Sequence, residues 1–353
     1  MNMKRIIRLI AVVLAVGCLV GLLGGCDSGT GGGKVETIKI GVAAYRKDDT
    51  FVSSLCTYLE QIAKNKEIES GKKIVVNIVD GQSSQAVQND QVDSFIAQSY
   101  DVICVNMVDR TAAAVIVDKA KAANIPVIFF NREPVEEDIR MWNRVYYVGA
   151  DAAQSGRLQG EIITSAYQKN KSLIDKNGDG KIQYVMLEGE QEHQDALLRT
   201  EYSIKAVTGA GIHVEKLAND TANWQRAQGA AKMAQWIEKF GSRIEVVFSN
   251  NDDMALGAID ALKDSKLKIK PVVVGIDATQ TGLKAIEDGS MFGTVFNDAK
   301  GQAQAIFDLS YYAFAAGGDP SSAVQVQSGH YVRIPYKVVT KDNYEDIIDQ
   351  LRI

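Results

Sequence analysis

Thr37-Ile-Lys-Ile-Gly-Val-Ala43, an amphipathic run from Phe51 to Asn65, and Lys73-Ile-Val-Val-Asn-Ile-Val79 decide the fold. The two outer runs are short, apolar and rich in β-branched residues, which suits strands. The middle run is long and has helical periodicity. The same alternation then repeats. Ser84 to Gln98 reads as a helix with Val87, Val92, Phe95 and Ile96 as its apolar stripe. Tyr100 to Asn106 reads as a strand, Ala112 to Ala123 as a helix and Pro126 to Phe130 as a strand. Arg144 to Gly149 is a linking strand and Ala153 to Gln168 a helix. A second series opens at Ile182 to Leu187 and continues with strands at His213 to Leu217, Ile244 to Phe248, Pro271 to Ile276 and Ser290 to Phe296. Helical runs follow each of them, and the tail holds two shorter strand-like runs, Ser328 to Ile334 and Tyr336 to Val339. This predicts two similar, Rossmann-like α/β halves, each a parallel sheet with helices on both faces. Patterning alone does not say how often the chain crosses between them.

Upstream of the first strand the order is basic, apolar, small, then polar. Met1-Asn-Met-Lys-Arg5 carries the charge, Ile6 to Leu23 is mostly apolar, and Leu23-Gly-Gly-Cys26 leads into the glycine-rich run Asp27 to Gly33. That order marks a secretory signal rather than part of the fold. The apolar run approaches spanning length, but the small residues before Cys26 favour cleavage there over a retained anchor. The segment looks like a bacterial lipoprotein signal over residues 1–25. Cys26 is then the lipidated first residue, residues 26–36 are a flexible tether, and the protein is held at the outer face of a cell membrane. The remaining length suits two domains. Net charge is −5, from 39 Lys and Arg against 44 Asp and Glu, with no basic stripe. Nucleic acid is therefore not an expected partner. Of the four cysteines, Cys56 and Cys104 sit in apolar-patterned elements and are expected as buried free thiols.

In doubly wound sheets ligands bind beyond the carboxyl ends of the strands. The residues there are unusually polar and aromatic: Arg46 to Phe51, Asn131-Arg-Glu133, Glu190 to Arg199, Asn250-Asn-Asp-Asp253, Asp277 and Asn297-Asp298. So many loops of one character, in both halves, predict a polar pocket facing a cleft.

Asp175-Lys-Asn-Gly-Asp-Gly-Lys-Ile-Gln183 has the spacing of an EF-hand loop. Oxygen-bearing side chains stand at positions one, three, five and nine, and glycine at six. The expected ligands of a structural calcium ion are the side chains of Asp175, Asn177, Asp179 and Gln183 with the carbonyl of Lys181. Position twelve is Met186, which cannot ligate calcium, so a carboxylate must come from elsewhere. Glu188 and Glu190 are near in sequence, and Glu245 opens another strand.

Taken in order, several stretches resemble the galactose/glucose-binding branch of the type I solute-binding proteins that serve ABC sugar importers. They are Tyr45 to Phe51, Val127 to Pro134, Tyr146 to Gly149, the calcium-like loop, His193 to Arg199, Trp224, Asn250 to Asp252, Gly275 to Asp277 and Val295 to Asn297. The resemblance covers essentially the whole mature chain. It implies three crossings between domains, near Gly149-Ala150, Phe296-Asn297 and Arg333. The domains are then residues 37–149 with 297–333, and residues 150–296 with 334–353. It implies a pyranose held between Phe51 and Trp224, with hydrogen bonds from Asp49, Asn131, His193, Asp195, Arg199, Asn251, Asp277 and Asn297. The residue matching Asp49 accommodates either epimer at the fourth carbon, so D-glucose and D-galactose are the expected ligands. It also implies Glu245 as the missing calcium ligand. The chain departs from that branch at Arg46, Lys47, Thr50, Gln194 and Leu197, which bears on sugar preference.

The implied function is extracytoplasmic sugar capture by domain closure, as a monomer, and delivery to an ABC permease. The same residues would serve a sensory adaptor that engages a chemoreceptor. A glycosidase is disfavoured, because the acids are spread over many loops with amides beside them. Gly-x-Gly-x-x-Gly and Walker loops are absent, so neither NAD nor ATP is expected. A two-domain transcriptional regulator would need a DNA-binding module where the signal stands.

Overall fold

The computed structural model describes residues 37–315 and 317–351. The signal, the tether and Cys26 lie outside the described residues. Among the described residues twelve strands form two six-stranded sheets. The first sheet holds β1 (Thr37–Ala44), β2 (Lys73–Asp80), β3 (Val102–Val105), β4 (Val127–Phe130), β5 (Val145–Gly149) and β11 (Tyr331–Arg333). The second holds β6 (Lys181–Glu188), β7 (His213–Thr221), β8 (Val246–Ser249), β9 (Val272–Val274), β10 (Gly293–Phe296) and β12 (Lys337–Thr340). The orders are β11-β5-β4-β3-β1-β2 and β12-β10-β9-β8-β6-β7. The chain passes between sheets after β5, after β10 and between β11 and β12, which gives the three crossings expected of this fold.

The strands are apolar throughout because both faces of each sheet are covered. Ile38, Ile40, Val42 and Ala44 of β1 pack into one core of the first sheet, and Ala43 into the other. Val185 and Leu187 of β6 face one core of the second sheet, and Ile182, Tyr184 and Met186 the other. This is the period-two alternation of a pleated strand. Cys56 and Cys104 are buried and free.

Two details differ from the sequence expectations. β12 runs antiparallel to β10. β11 runs parallel to β5 and ends at the carboxyl ends of the first sheet, and only Ile334-Pro335-Tyr336 separates it from β12, so the chain enters the second sheet from its cleft side, against the direction of β10. The helix expected to end at Asn65 runs over Thr50–Ser70. Nothing in Lys66 to Ser70 breaks it, and it stops where Gly71 turns left-handed at φ 69°.

Each sheet reverses winding direction at one point, between β1 and β3 and between β6 and β8. A buried glutamine braces each half nearby. Gln88 Nε2 donates to the carbonyls of Ala43 (3.2 Å) and Asn106 (2.8 Å), and its Oε1 accepts from Val108 N (3.0 Å). Gln159 Nε2 donates to the carbonyls of Ser249 (2.7 Å) and Gly275 (3.1 Å). Strand ends that have run out of ladder partners are thereby satisfied and held rigid. Among the described residues no helix is long and apolar enough to cross a membrane.

Candidate functional site

The loops beyond the strand ends of the two sheets meet around one small cavity. All ten residues expected to hold a ligand line it. Asp49 follows β1 and caps the helix Thr50–Ser70, accepting from Val52 N at 2.9 Å, and Phe51 sits in that helix's first turn. Asn131 follows β4 directly. Its Oδ1 accepts from Asn106 Nδ2 at 3.0 Å, and its carbonyl accepts from the Tyr147 hydroxyl at 2.7 Å. His193 caps the helix Gln194–Gly209, accepting from Asp195 N through Nδ1 at 3.1 Å. Asp195 and Arg199 lie on successive turns of that helix. Trp224 follows β7, Asn251 caps the helix Asp252–Asp264 after β8, Asp277 follows β9, and Asn297 follows β10.

Arg199 ties these groups together. Its Nη1 donates to the carbonyl of Asn250 (2.8 Å), and its Nη2 to Asp195 Oδ2 (3.2 Å) and the Tyr336 hydroxyl (3.1 Å). Asp277 Oδ1 lies 4.0 Å from Nη1. Asn297 donates to Asp277 Oδ1 at 3.2 Å and accepts from Gln302 Nε2 at 2.7 Å. Asn251 Nδ2 donates to the carbonyl of Trp224 at 3.1 Å. Gly189 gives the Trp224 ring room, since a Cβ there would lie 2.1 Å from it.

Burial governs the charges. It pushes the Asp195 and Asp277 carboxyls up, with Arg199 opposing in both cases. It pushes His193 well down, helped by Arg132, Arg199 and Arg110, so the imidazole is neutral near pH 7. Burial also opposes the Arg199 charge, but Tyr336, Asp195 and Asp277 hold that group above its ordinary value. Backbone strain collects here as well. Asn131, Trp224 and Asp277 have φ of 58°, 64° and 120°, conformations that side chains other than glycine adopt rarely.

Two lining residues escaped the sequence reading, Tyr45 and Arg132. The Tyr45 hydroxyl donates to Asp49 Oδ2 at 2.7 Å, and the Arg132 guanidinium lies 3.6 Å from the Tyr45 ring centroid. Both stand in stretches whose polar, strand-end position was legible. Nothing in the sequence separated Arg132 from a solvated neighbour of Asn131. Chemically the cavity offers carboxylates to accept, the guanidiniums of Arg132 and Arg199 to donate, amides to do both, and the Phe51 and Trp224 rings for a C–H face.

The calcium site expected at Asp175, Asn177, Asp179, Lys181, Gln183 and Glu245 is corrected by the structure. Among the described residues no three His, Cys, Asp or Glu side chains come together in a way that could hold a metal ion. The loop's oxygens face N–H donors instead. Asp175 accepts from Gly178 N (2.7 Å) and Gly180 N (3.0 Å), and Asp179 from Lys181 N (2.9 Å) and Gln183 Nε2 (2.7 Å). Asn177 Oδ1 accepts from Asp179 N (2.8 Å) and Gln183 Oε1 from Asn177 Nδ2 (2.9 Å). Glu245 accepts from the backbone of Lys176 (2.7 Å), Asn177 (3.1 Å) and Gln183 (2.9 Å). Lys181 opens β6 and pairs with His213 of β7. The donor set is a self-satisfied turn, and calcium has no place in the chemistry below.

Comparison with known proteins places this geometry. The Periplasmic binding protein domain family matches residues 40–318. A D-galactose/methyl-galactoside binding periplasmic protein of Haemophilus influenzae is 39% identical over 312 residues, covering 88% of this chain and 92% of that one. A putative rhizopine-binding protein of Rhizobium meliloti is 33% identical, covering 87% of this chain and 91% of its own length. An ABC transporter solute binding protein from Bacillus halodurans, solved with bound myo-inositol, superposes with a TM-score of 0.73 at 29% identity. That match covers 90% of this chain and 99% of the other.

Proposed function

The chain belongs to the periplasmic binding protein domain family, and from that premise we propose that it captures D-galactose or D-glucose outside the cytoplasm and delivers it to an ABC importer. Members of this family bind solutes, and the chain is a binding protein rather than an enzyme. The observation that carries the sugar reading is the cavity itself, lined by all ten residues assigned to sugar recognition and set between the two sheets. The galactoside-binding relative adds support for the hexose.

In this reading Phe51 and Trp224 cover the C–H faces of the ring. Asp49, Asp195 and Asp277 accept from hydroxyls, and Arg199 and the amides complete the hydrogen bonds. The two lobes, taken as residues 37–149 with 297–333 and 150–296 with 334–353, part to admit the sugar and close over it. Hydrogen bonds made in the closed, drier cleft are stronger than those made at an open surface. Lipidation at Cys26 would keep the protein beside its permease.

Calorimetric titration of the purified protein with D-galactose and D-glucose, with D-ribose as control, tests the assignment. One-to-one binding of either hexose, lost on Trp224→Ala or Asp277→Ala, is expected. A folded protein that releases no heat with either hexose sinks it.

A further inference from the structure

Asp252 is a buried carboxylate that the sugar reading leaves unused. It is fully buried and does not line the cavity. Neutral donors, not a cation, oppose the cost of burying it. Its Oδ2 accepts from Thr279 N at 2.8 Å and from the Thr279 hydroxyl at 3.3 Å, and its Oδ1 accepts from the Thr294 hydroxyl at 2.6 Å. The Thr294 oxygen in turn accepts from Ala278 N at 3.4 Å. Thr294 is also fully buried and outside the cavity lining. A carboxylate without a counter-charge is expensive to bury. Its place in the fold follows from what these bonds hold.

They hold the two residues that follow Asp277 in the chain. Asp277 and Ala278 have φ of 120° and 53°, two consecutive side-chain-bearing residues in a region that favours glycine. Such a turn persists only where its surroundings determine it. On one side β10 does so, since Asp277 N donates to the Val295 carbonyl at 2.8 Å and Asn297 N to the Asp277 carbonyl at 3.2 Å. On the other side Thr294 and Asp252 take the N–H groups of Ala278 and Thr279. Two glycines leave space for the carboxylate. A Cβ on Gly275 would lie 2.2 Å from Asp252 Oδ1, and one on Gly282 would lie 2.1 Å from Oδ2. Asp252 also opens the helix that Asn251 caps, so one carboxylate joins the segments that carry Asn251 and Asp277.

We infer that Asp252 is a positioning residue for the sugar: without touching ligand, and with Thr294 as its relay to Ala278, it holds the turn that aims the Asp277 carboxylate at a sugar hydroxyl. This rests on the proposed sugar reading of the cavity. Disturbing the relay should be felt at the hydroxyls that Asp277 reads. A merely structural role would weaken every sugar alike.

The test is calorimetric titration of the full protein at about pH 8, above the value of about 7 to which burial pushes the Asp252 carboxyl. The ligands are whichever of D-galactose and D-glucose binds wild type more tightly, and its monodeoxy analogues. Thr294→Val keeps the shape of the side chain but leaves Ala278 N without its acceptor. It is expected to weaken the hexose by about tenfold, and Thr294→Ser, which returns the hydroxyl, to bind within about threefold of wild type. In Thr294→Val the cost of deleting particular sugar hydroxyls should fall by about threefold or more, and these should be the hydroxyls whose deletion also costs less in Asp277→Asn. Asp252→Asn keeps an acceptor for Thr279 N and removes the charge. It is the second variant, expected to weaken the hexose by about threefold or more at the same hydroxyls, and it decides the matter if Thr294→Val does not fold. Hexose affinity within about twofold of wild type in these variants, no recovery in Thr294→Ser, or an equal loss across the hexose and all its deoxy analogues overturns the inference. A folded wild type that binds neither hexose overturns the sugar reading itself, and the inference with it.

Discussion

Arg199 shows what a single buried charge does here. It is 4% exposed and faces Asp195 and Asp277, two carboxyls that burial pushes up. Arg199→Met is isosteric enough to pack but strands both acids. We expect about 3–5 kcal/mol of lost stability near pH 7 by urea denaturation, with a smaller loss near pH 5, where the freed acids take up protons. Asp252 gives a second pH signature. Burial pushes its carboxyl up to about 7, while Thr294 Oγ1 (2.6 Å) and Thr279 N (2.8 Å) favour the charged form. A carboxyl raised from about 3.9 in the unfolded chain binds its proton more tightly when folded, so the stability it adds at low pH drains away as pH rises from about 4 to 7. Asp252→Asn cannot titrate. The stability difference between wild type and this variant should therefore shrink by a few kcal/mol between about pH 4.5 and 7.5 in urea melts. A flat difference would mean Asp252 is ionised throughout. At this scale the sequence was legible where a residue stands directly after a strand, as Asn131 and Asn297 do. It was silent on partners such as Tyr336 and Asn106, which reach Arg199 and Asn131 from 137 and 25 residues away along the chain.

Helices hold those residues in place by close approach. A Cβ on Gly160 would lie 2.3 Å from the carbonyl oxygen of Ser203, which sets the helix Ala152–Lys169 hard against the helix carrying Arg199. A Cβ on Gly257 would lie 2.0 Å from the carbonyl oxygen of Arg226, locking the helix capped by Asn251 against Arg226–Phe240. Backbone cannot yield as a flexible side chain can. Gly257→Val should cost about 3 kcal/mol or more in chemical denaturation. Gly209, at the end of its helix with nothing within 4 Å of a Cβ, is the control, and Gly209→Ala should be neutral or stabilise by about 0.5–1 kcal/mol. Elements were read well because apolar period and length are local properties. The turn from Asp175 to Gln183 was misread for the same reason. Its spacing is local, but what its oxygens face is decided by Glu245, 62 residues beyond Gln183 along the chain. Met186 at position twelve was the one local sign against it.

Across the whole molecule, side chains of the loops beyond the first sheet bond directly to those beyond the second. Arg132 reaches Glu190 at 2.6 Å, Arg46 comes within 3.9 Å of the same carboxylate, and the Thr50 hydroxyl donates to Asp253. Sequence patterning could not count the crossings or show these pairs, because both depend on how two separately wound sheets face each other. The Arg132–Glu190 pair is part-buried, with side-chain exposures of 8% and 29%. It should therefore be worth more than a surface ion pair and less than a buried one. If the lobes part to admit ligand as proposed, the pair would form only as they close, and its loss should act on the exit of ligand rather than its arrival. Glu190→Gln keeps the shape and removes the charge. In stopped-flow tryptophan fluorescence with the bound hexose we expect koff to rise by about tenfold and kon to change by less than about threefold. Raising salt should speed release from wild type more than from Glu190→Gln, since the variant has no ion pair left to screen. Glu201→Gln, which breaks the exposed pair with Lys205 on the outer helix face, should leave both rates unchanged. A change confined to kon in Glu190→Gln would place the charge in steering the ligand inward, and the lobes would then be held shut by the sugar alone.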